Sequence, residues 1–256
     1  MAKTPLILIT NDDGITAPGI RSLIHFMRDL GDVVVVAPDS PQSGMGHAIT
    51  VNNTLYVRRE QTSEGTQKEY STSGTPADCV KLAKHEILDR TPDLCVSGIN
   101  HGSNASINVL YSGTMSAAIE ACIEGIPAIG FSLCDYSWNA DFSVLEPYVK
   151  KIAQSVLEQG LPHGTALNVN FPSSEIKGMK VCRQAKANWI EKFDKRQSPM
   201  GQDYYWLTGE FKNFDLGEDT DQWALDHGFV SIVPVHFDMT SYAALAQLDH
   251  LNSHNE

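Results

Sequence analysis

The sequence predicts an α/β protein with a Rossmann-like three-layer parallel sheet and C-terminal β-hairpin extensions. Two continuously apolar runs of strand length, residues 6–10 and 33–37, flank a segment whose apolar residues repeat with the helical period. Strands buried on both faces of a parallel sheet have such sequences, and a helix between them completes a crossover unit. Late in the chain the pattern changes to short alternating β segments between turn residues, which is typical of hairpins.

The first predicted strand ends in Asn11, Asp12, Asp13 and Gly14. Open α/β sheets bind ligands outside the carboxyl ends of their strands. Two ionised carboxylates about 5 Å apart repel by roughly 3 kcal/mol at an effective dielectric near 20, so a cation between them turns repulsion into binding. Asp12 and Asp13 are therefore candidate ligands of a hard divalent metal. The alternative is that both are solvated turn residues ahead of a helix.

A second polar loop, residues 38–46, follows the strand at 33–37, after a helix predicted over 18–30 and ended by Gly31. Its glycines, including Gly44, permit close backbone approach, and the hydroxyl of Ser43 can serve a metal or a phosphate. Turn chemistry is the simpler explanation of the serine taken alone. Residues 47–59 then alternate as exposed strands do, and Thr75 predicts the N-cap of the next helix.

A third polar loop, residues 98–108, follows a strand predicted at 93–97 and combines glycines with three asparagines. The sequence Ser112-Gly113-Thr114 then opens a helix over 115–124, where backbone N–H groups and hydroxyls can hold an anion. Asn100 can give a neutral oxygen to a metal, and His101 is the histidine most worth testing. Ser-Gly-Thr caps many helices, so its significance comes from sharing a sheet edge with the other two loops.

The sequence divides into an α/β core, residues 1–172, and a C-terminal region, residues 173–256, packed on it. Strands at 126–133 and 166–171 with a helix at 142–159 complete the core. The C-terminal region is predicted to hold hairpins, including the strand at 229–235, and a closing helix at 242–251. Its aromatic stretch, 189–211, is interpreted as an oligomer contact, with packing on its own core as the alternative.

Composition limits the classes of function. The chain has 256 residues and a net charge of −12, which argues against binding long nucleic acids electrostatically. No apolar run is long enough to cross a membrane and no signal-peptide pattern opens the sequence, so a cytoplasmic location is expected. The five scattered cysteines are expected to be reduced and mostly core residues. An anionic substrate then requires a metal or helix N-termini to hold it.

Besides an enzyme that binds a metal and a phosphate at the three loops, three further functions fit parts of the sequence pattern. A non-catalytic metal- or nucleotide-binding α/β module is one, although the first turn lacks the glycine fingerprint of dinucleotide-binding proteins. A phosphatase with Asp12 or Asp13 as nucleophile is another, but no lysine accompanies the adjacent acids. The third is an interaction protein that uses the aromatic stretch.

The motifs at all three loops resemble those of the SurE family. They are residues 10–14 at the first strand end, 37–39 with Ser43 and Gly44, 74–79, 97–100 with Gly102 and Asn104, 111–114, and the late segment 228–234. The resemblance runs from about residue 6 to residue 240. It implies a divalent-metal-dependent phosphomonoesterase that hydrolyses nucleoside 5'-monophosphates, and 3'-monophosphates in some cases, to nucleoside and phosphate by metal-activated water.

The resemblance also implies a site. It assigns one Mg²⁺ or Mn²⁺ per subunit to Asp12, Asp13, Ser43 and Asn100, with catalytic roles for Asp12, Asp13 and Asn100. The phosphate and substrate positions that it implies are Asn11, Ser43, Gly44, Asn104, Ser112, Gly113 and Thr114, and it implies a homodimer or homotetramer. Family members often continue this loop with a glycine and acidic residues, where this chain has Ala-Ser-Ile-Asn at 105–108. The departure leaves the implied ligand set intact, but the resemblance does not extend to the flexibility of this loop or to the substrate preference.

Overall fold

The computed structural model describes residues 3–62, 65–137 and 139–252, and its centre is a mixed, mostly parallel sheet of nine strands. Their order is β3-β4-β2-β1-β5-β6-β7-β11-β8, with a separate hairpin of β9 and β10. The strands are β1 (Leu6–Thr10), β2 (Asp32–Pro38), β3 (Val57–Arg59), β4 (Lys68–Thr72), β5 (Leu94–His101), β6 (Ala128–Leu133), β7 (Thr165–Phe171), β8 (Gly178–Val181), β9 (Ala187–Gln197), β10 (Asp203–Asn213) and β11 (Phe229–His236).

Helices cover both faces of this sheet, which confirms the three-layer α/β prediction. The helices are α1 (Pro18–Met27), α2 (Pro76–Leu82), α3 (Gly113–Ile123), α4 (Glu146–Gln159), α5 (Asp221–Asp226) and α6 (Tyr242–Leu245). One apolar core joins the sheet to α1 and α4 through residues such as Leu23 and Val149. A second core joins the opposite face to α2 and α3 through residues such as Cys79 and Ala117.

Several predicted elements have other limits in the structure. Helix α1 ends at Met27 rather than residue 30, because the chain passes into a turn in which the Leu30 N–H donates to the Met27 carbonyl. The helix predicted from residue 142 begins with a 3₁₀ turn, and α4 starts at Glu146 next to a proline suited to a first helical turn. Of residues 47–59, only β3 is a strand, so local alternation overpredicted strand here.

The segment 229–235 was predicted to be part of a hairpin, and this prediction is wrong. β11 lies inside the main sheet, antiparallel to β7 and parallel to β8. Its residues Val230, Ser231 and Val233 are buried there. The sheet is consequently mixed, and strands after residue 172 complete it.

The aromatic stretch does form a hairpin, β9 with β10. Its two 11-residue strands pair with each other and leave Phe193, Trp206 and other aromatic residues exposed.

The C-terminal segment predicted as a helix over 242–251 consists of the short α6 followed by a 3₁₀ helix, Ala246–Leu251. Across the described ranges, none of the helices combines the length and the apolar character needed to span a bilayer.

Gly19 fixes how closely α1 approaches the end of β5. A Cβ atom at this position would lie 1.9 Å from the carbonyl oxygen of Ile99, a backbone atom that cannot rotate away. We therefore expect Gly19→Ala to lower the free energy of unfolding by about 3 kcal/mol, the upper range for overpacked sites. Ser22→Ala on the same helix removes only an exposed hydrogen bond to the Pro18 carbonyl, and it is expected to stay within about 0.5 kcal/mol. Urea denaturation checks both, and equal stability of the two variants would contradict the steric argument.

Candidate active site

The candidate site lies where β1, β2 and β5 reach their carboxyl ends, beside the N-terminus of α3. Asn11, Asp12 and Asp13 follow β1 directly. The Asn11 side chain closes this turn, because its Nδ2 donates to the Gly14 carbonyl at 2.9 Å. Gly14 has a φ of 95°, a conformation that favours glycine. The turn thus holds Asn11 inward and presents the two carboxylates at the sheet edge.

The start of α3 packs directly on Asp12. The Thr114 hydroxyl donates to Asp12 Oδ1 at 2.5 Å. A Cβ atom on Gly113 would lie 2.6 Å from the Asp12 Cβ, so only glycine permits this approach. N–H groups in a first helical turn have no partner within the helix and carry partial positive charge. Asp12 therefore sits against the positive end of α3.

Burial dominates the titration of Asp12. It raises the pKa of this carboxyl from its usual 3.8 to about 6, against the lowering effect of the Thr114 hydroxyl, and the charge of Asp13 adds to the rise. A carboxylate in this environment is incompletely compensated by the protein alone. A bound cation would supply the missing compensation.

Asp13 faces a histidine from the neighbouring strand. Its Oδ2 lies 3.7 Å from His101 Nδ1, and this oxygen is buried without a hydrogen-bond partner among the described residues. Burial raises the pKa of Asp13, whereas His101 lowers it. The His101 ring is held edge-on against Phe142, with ring centroids 4.9 Å apart. Asn100 precedes this histidine, and its Nδ2 donates to the Gly102 carbonyl at 2.9 Å, which leaves the amide oxygen as its acceptor group.

The loop after β2 reaches Asp12 through its backbone. The Gln42 N–H donates to the Asp12 carbonyl at 2.7 Å, and the next two residues, Ser43 and Gly44, are exposed. Further along, His47 Nε2 lies 2.7 Å from a carboxylate oxygen of the buried Glu120 on α3. The loop is thus attached at one end to the turn after β1 and at the other to α3.

The predicted phosphate residues divide into two groups. The Ser112 hydroxyl is the N-cap of α3 and accepts from the Met115 N–H at 3.0 Å, while Gly113 and Thr114 lie against Asp12 as described. Asn104 is turned toward the sheet instead, since its Nδ2 donates to Ser132 Oγ at 2.8 Å. Of the predicted residues, Asp12, Gly113 and Thr114 are in direct contact, and Asn104 is engaged elsewhere.

The donor set of the site fits a hard cation. Within the described residues no group of three or more His, Cys, Asp or Glu side chains could hold a metal, so Asp12 and Asp13 need neutral oxygens as further ligands. Two buried oxygens, Asp13 Oδ2 and Asn11 Oδ1, lack hydrogen-bond partners among those residues. Carboxylate, amide and hydroxyl oxygens are ligands typical of Mg²⁺ and Mn²⁺. These observations agree with a site for one such ion.

The stretch between Asn104 and α3 is tied to the base of the β9–β10 hairpin. Ser106, at a φ of 55°, donates its N–H to the buried Asp221 carboxylate at 2.7 Å and its hydroxyl to the Ala185 carbonyl at 2.9 Å. Trp189 Nε1 donates to Asn108 Oδ1 at 2.8 Å. Sequence reasoning missed Asp221, and its position at the N-terminus of a short helix gave no signal of this contact.

Comparison with known proteins agrees with this geometry. The family model "Survival protein SurE" matches residues 7–191. A protein named 5'-nucleotidase SurE from Flavobacterium psychrophilum is 66% identical over 248 residues, 96% of each chain. One of the same name from Bacteroides thetaiotaomicron is 49% identical over 250 residues, 97% of this chain and 96% of its own. The crystal structure of the SurE protein from Aquifex aeolicus matches with a TM-score of 0.84 at 40% identity, covering 97% of this chain and 100% of that one. The chain belongs to the SurE family.

Proposed function

We propose that this chain is a divalent-metal-dependent 5'-nucleotidase, a phosphomonoesterase that hydrolyses nucleoside 5'-monophosphates to nucleoside and phosphate. Relatives that carry the name 5'-nucleotidase SurE are 66% and 65% identical to it over nearly the whole chain. The observation that carries the proposal is Asp12, held against the N-terminus of α3, with the carboxylate of Asp13 beside it opposite His101. Nothing in these relatives supports the alternative of a non-catalytic binding module.

One set of residues in the site would bind the metal, and another would bind the phosphate. Asp12, Asp13, Asn100 and Ser43 would hold a divalent cation, which supplies charge for the phosphoryl oxygens and activates a water molecule. Asp12 is oriented by Thr114, and the first turn of α3 gives partial positive charge for the phosphate. Gly44 faces open space, which supports a close approach of the phosphate to the backbone of this loop.

The finer features are part of the same proposal. We assign one Mg²⁺ or Mn²⁺ per subunit, with action on 3'-monophosphates as a secondary activity. The exposed aromatic residues of the β9–β10 hairpin support a homodimer or homotetramer. A net charge of −12 supports small nucleotides over long nucleic acids as partners. The proposal includes a cytoplasmic location.

Phosphate release from metal-stripped protein tests the proposal. Nucleoside 5'-monophosphates are expected to be hydrolysed after Mg²⁺ or Mn²⁺ is added back, and not before. The 3'-monophosphates and a simple alkyl phosphate measure how much of the activity depends on the nucleoside. If the folded protein released no phosphate from any nucleotide with either metal, the nucleotidase proposal would be wrong.

A further inference from the structure

Two asparagines on β7 form a closed ring of hydrogen bonds with the main chain of Asn104. The Asn104 N–H donates to Asn170 Oδ1 at 2.8 Å, Asn170 Nδ2 donates to Asn168 Oδ1 at 2.9 Å, and Asn168 Nδ2 donates to the Asn104 carbonyl at 2.8 Å. All three residues are buried. We call this arrangement the amide ring.

Asn104 is not part of a strand, and the amide ring supplies the main-chain hydrogen bonds that strand pairing would otherwise give it. Asn168 and Asn170 are two residues apart, so their side chains lie on the same face of β7. Together they present one acceptor and one donor, which satisfy both main-chain polar groups of Asn104. A buried backbone group without a partner costs as much as a lost hydrogen bond. The need to pair the buried main chain of Asn104 explains why β7, an otherwise largely apolar strand, carries two asparagines.

The amide ring is connected to the candidate metal site by the short segment between Asn100 and Asn104. The segment between Asn100 and Asn104 is also attached to β6, because the Gly102 N–H donates to the Leu133 carbonyl at 2.8 Å. The Gly102 carbonyl in turn accepts from the Asn100 side chain. Fixing Asn104 therefore fixes the short segment after β5 whose Gly102 carbonyl orients the Asn100 amide, directly beyond His101.

We infer that Asn168 and Asn170 are positioning residues. They hold the segment 100–104 in the geometry that the metal and the substrate require. The metal-affinity and kinetic parts of this inference rest on the proposed function, whereas the ordering of the segment does not. Neither residue belongs to the set that the motifs of the three loops point to. Partners that orient metal ligands from outside typically contribute 10- to 100-fold to metal affinity or activity.

The test compares Asn168→Leu and the smaller Asn168→Ala with Ser231→Ala as matched control. Ser231 is buried on β11 directly opposite Asn170, and its hydroxyl has no partner among the described residues. We expect the Kd for Mn²⁺, measured by titration calorimetry, to rise about 10- to 100-fold in the Asn168 variants and to stay unchanged in Ser231→Ala. With a nucleoside 5'-monophosphate at saturating metal, kcat should fall more than KM rises.

Hydrogen exchange gives a readout that needs neither metal nor activity. The amide of Asn104 should be protected in the wild type, and the segment 100–104 should exchange faster in either Asn168 variant than in Ser231→Ala. A folded Asn168 variant with the wild-type Kd and wild-type exchange in this segment would overturn the inference. If neither variant folds, an Asn104 amide that exchanges in the wild type as fast as an unstructured peptide would overturn it too. Failure of the proposed function is distinguishable, since the wild type would then release no phosphate.

Discussion

Asp12→Asn is expected to lower phosphate release strongly while making the metal-free protein more stable. The substitution removes one of the two carboxylates proposed to bind the cation, and we expect activity to fall by about 10³-fold, which corresponds to the several kcal/mol that such an ion gives a phosphoryl transition state. Phosphate release with saturating Mn²⁺ measures this loss. Asp32→Asn, an exposed acid at the opposite end of the sheet, is the control and should keep wild-type activity.

The stability gain follows from the pKa of Asp12. Folding raises this pKa from 3.8 to about 6, so between these values the folded protein binds more protons than the unfolded chain. The contribution of Asp12 to the stability of the metal-free protein therefore falls as the pH rises from about 4 through 6, by about 3 kcal/mol in total. In the presence of a chelator, Asp12→Asn should unfold at a higher temperature than the wild type at pH 7.5, and the difference should shrink toward pH 4. A lower unfolding temperature at pH 7.5 would show that the carboxylate is well compensated without a metal.

Thr114→Val is expected to weaken metal binding by about 10- to 100-fold, the range for groups that orient a metal ligand. Valine keeps the shape of threonine but lacks the hydroxyl that donates to Asp12 Oδ1. Without this donor, Asp12 is less constrained in orientation and its pKa rises further above the usual value. The Kd for Mn²⁺ at pH 7 and kcat for a nucleoside 5'-monophosphate report the effect.

Thr114→Ser is the matched variant, because it keeps the hydroxyl and loses only a methyl group. We expect it to retain Mn²⁺ affinity within a few-fold of the wild type. If the serine and valine variants lost affinity equally, packing at Thr114 rather than its hydrogen bond would be responsible. If neither lost affinity, Asp12 would need no support from α3.

The parts of the fold that the sequence predicts are those with local signals. The apolar runs of β1 and β2, the capping box at Thr75 and the start of α3 each depend on residues close together in the chain. The meeting of three polar loops at one edge follows from the parallel order of β1, β2 and β5. These regularities are enough to bring Asp12 near Thr114.

The remaining features depend on contacts between distant residues. The partners of β11 could not be predicted from its sequence, because alternation indicates a buried face without saying which strand lies beside it. The orientation of Asn104 depends on Asn168 and Asn170, more than 60 residues later. Two asparagines in an otherwise apolar strand indicate a buried polar partner, but the sequence does not show that this partner is the main chain of Asn104. The metal and phosphate roles of Ser43 and Asn100 stay predictions.

The place of β11 in the sheet has a consequence for biosynthesis. β8 pairs with β11 in the main sheet, and β11 also covers the outer edge of β7. During translation at 5–20 residues per second, about 50 residues separate the end of β8 from the start of β11, a delay on the order of 2–10 s. Throughout that interval the nascent chain carries an open, largely apolar strand edge at β7, while the local β9–β10 hairpin can already form. The growing polypeptide is therefore most prone to pair with other chains in the seconds before β11 leaves the ribosome.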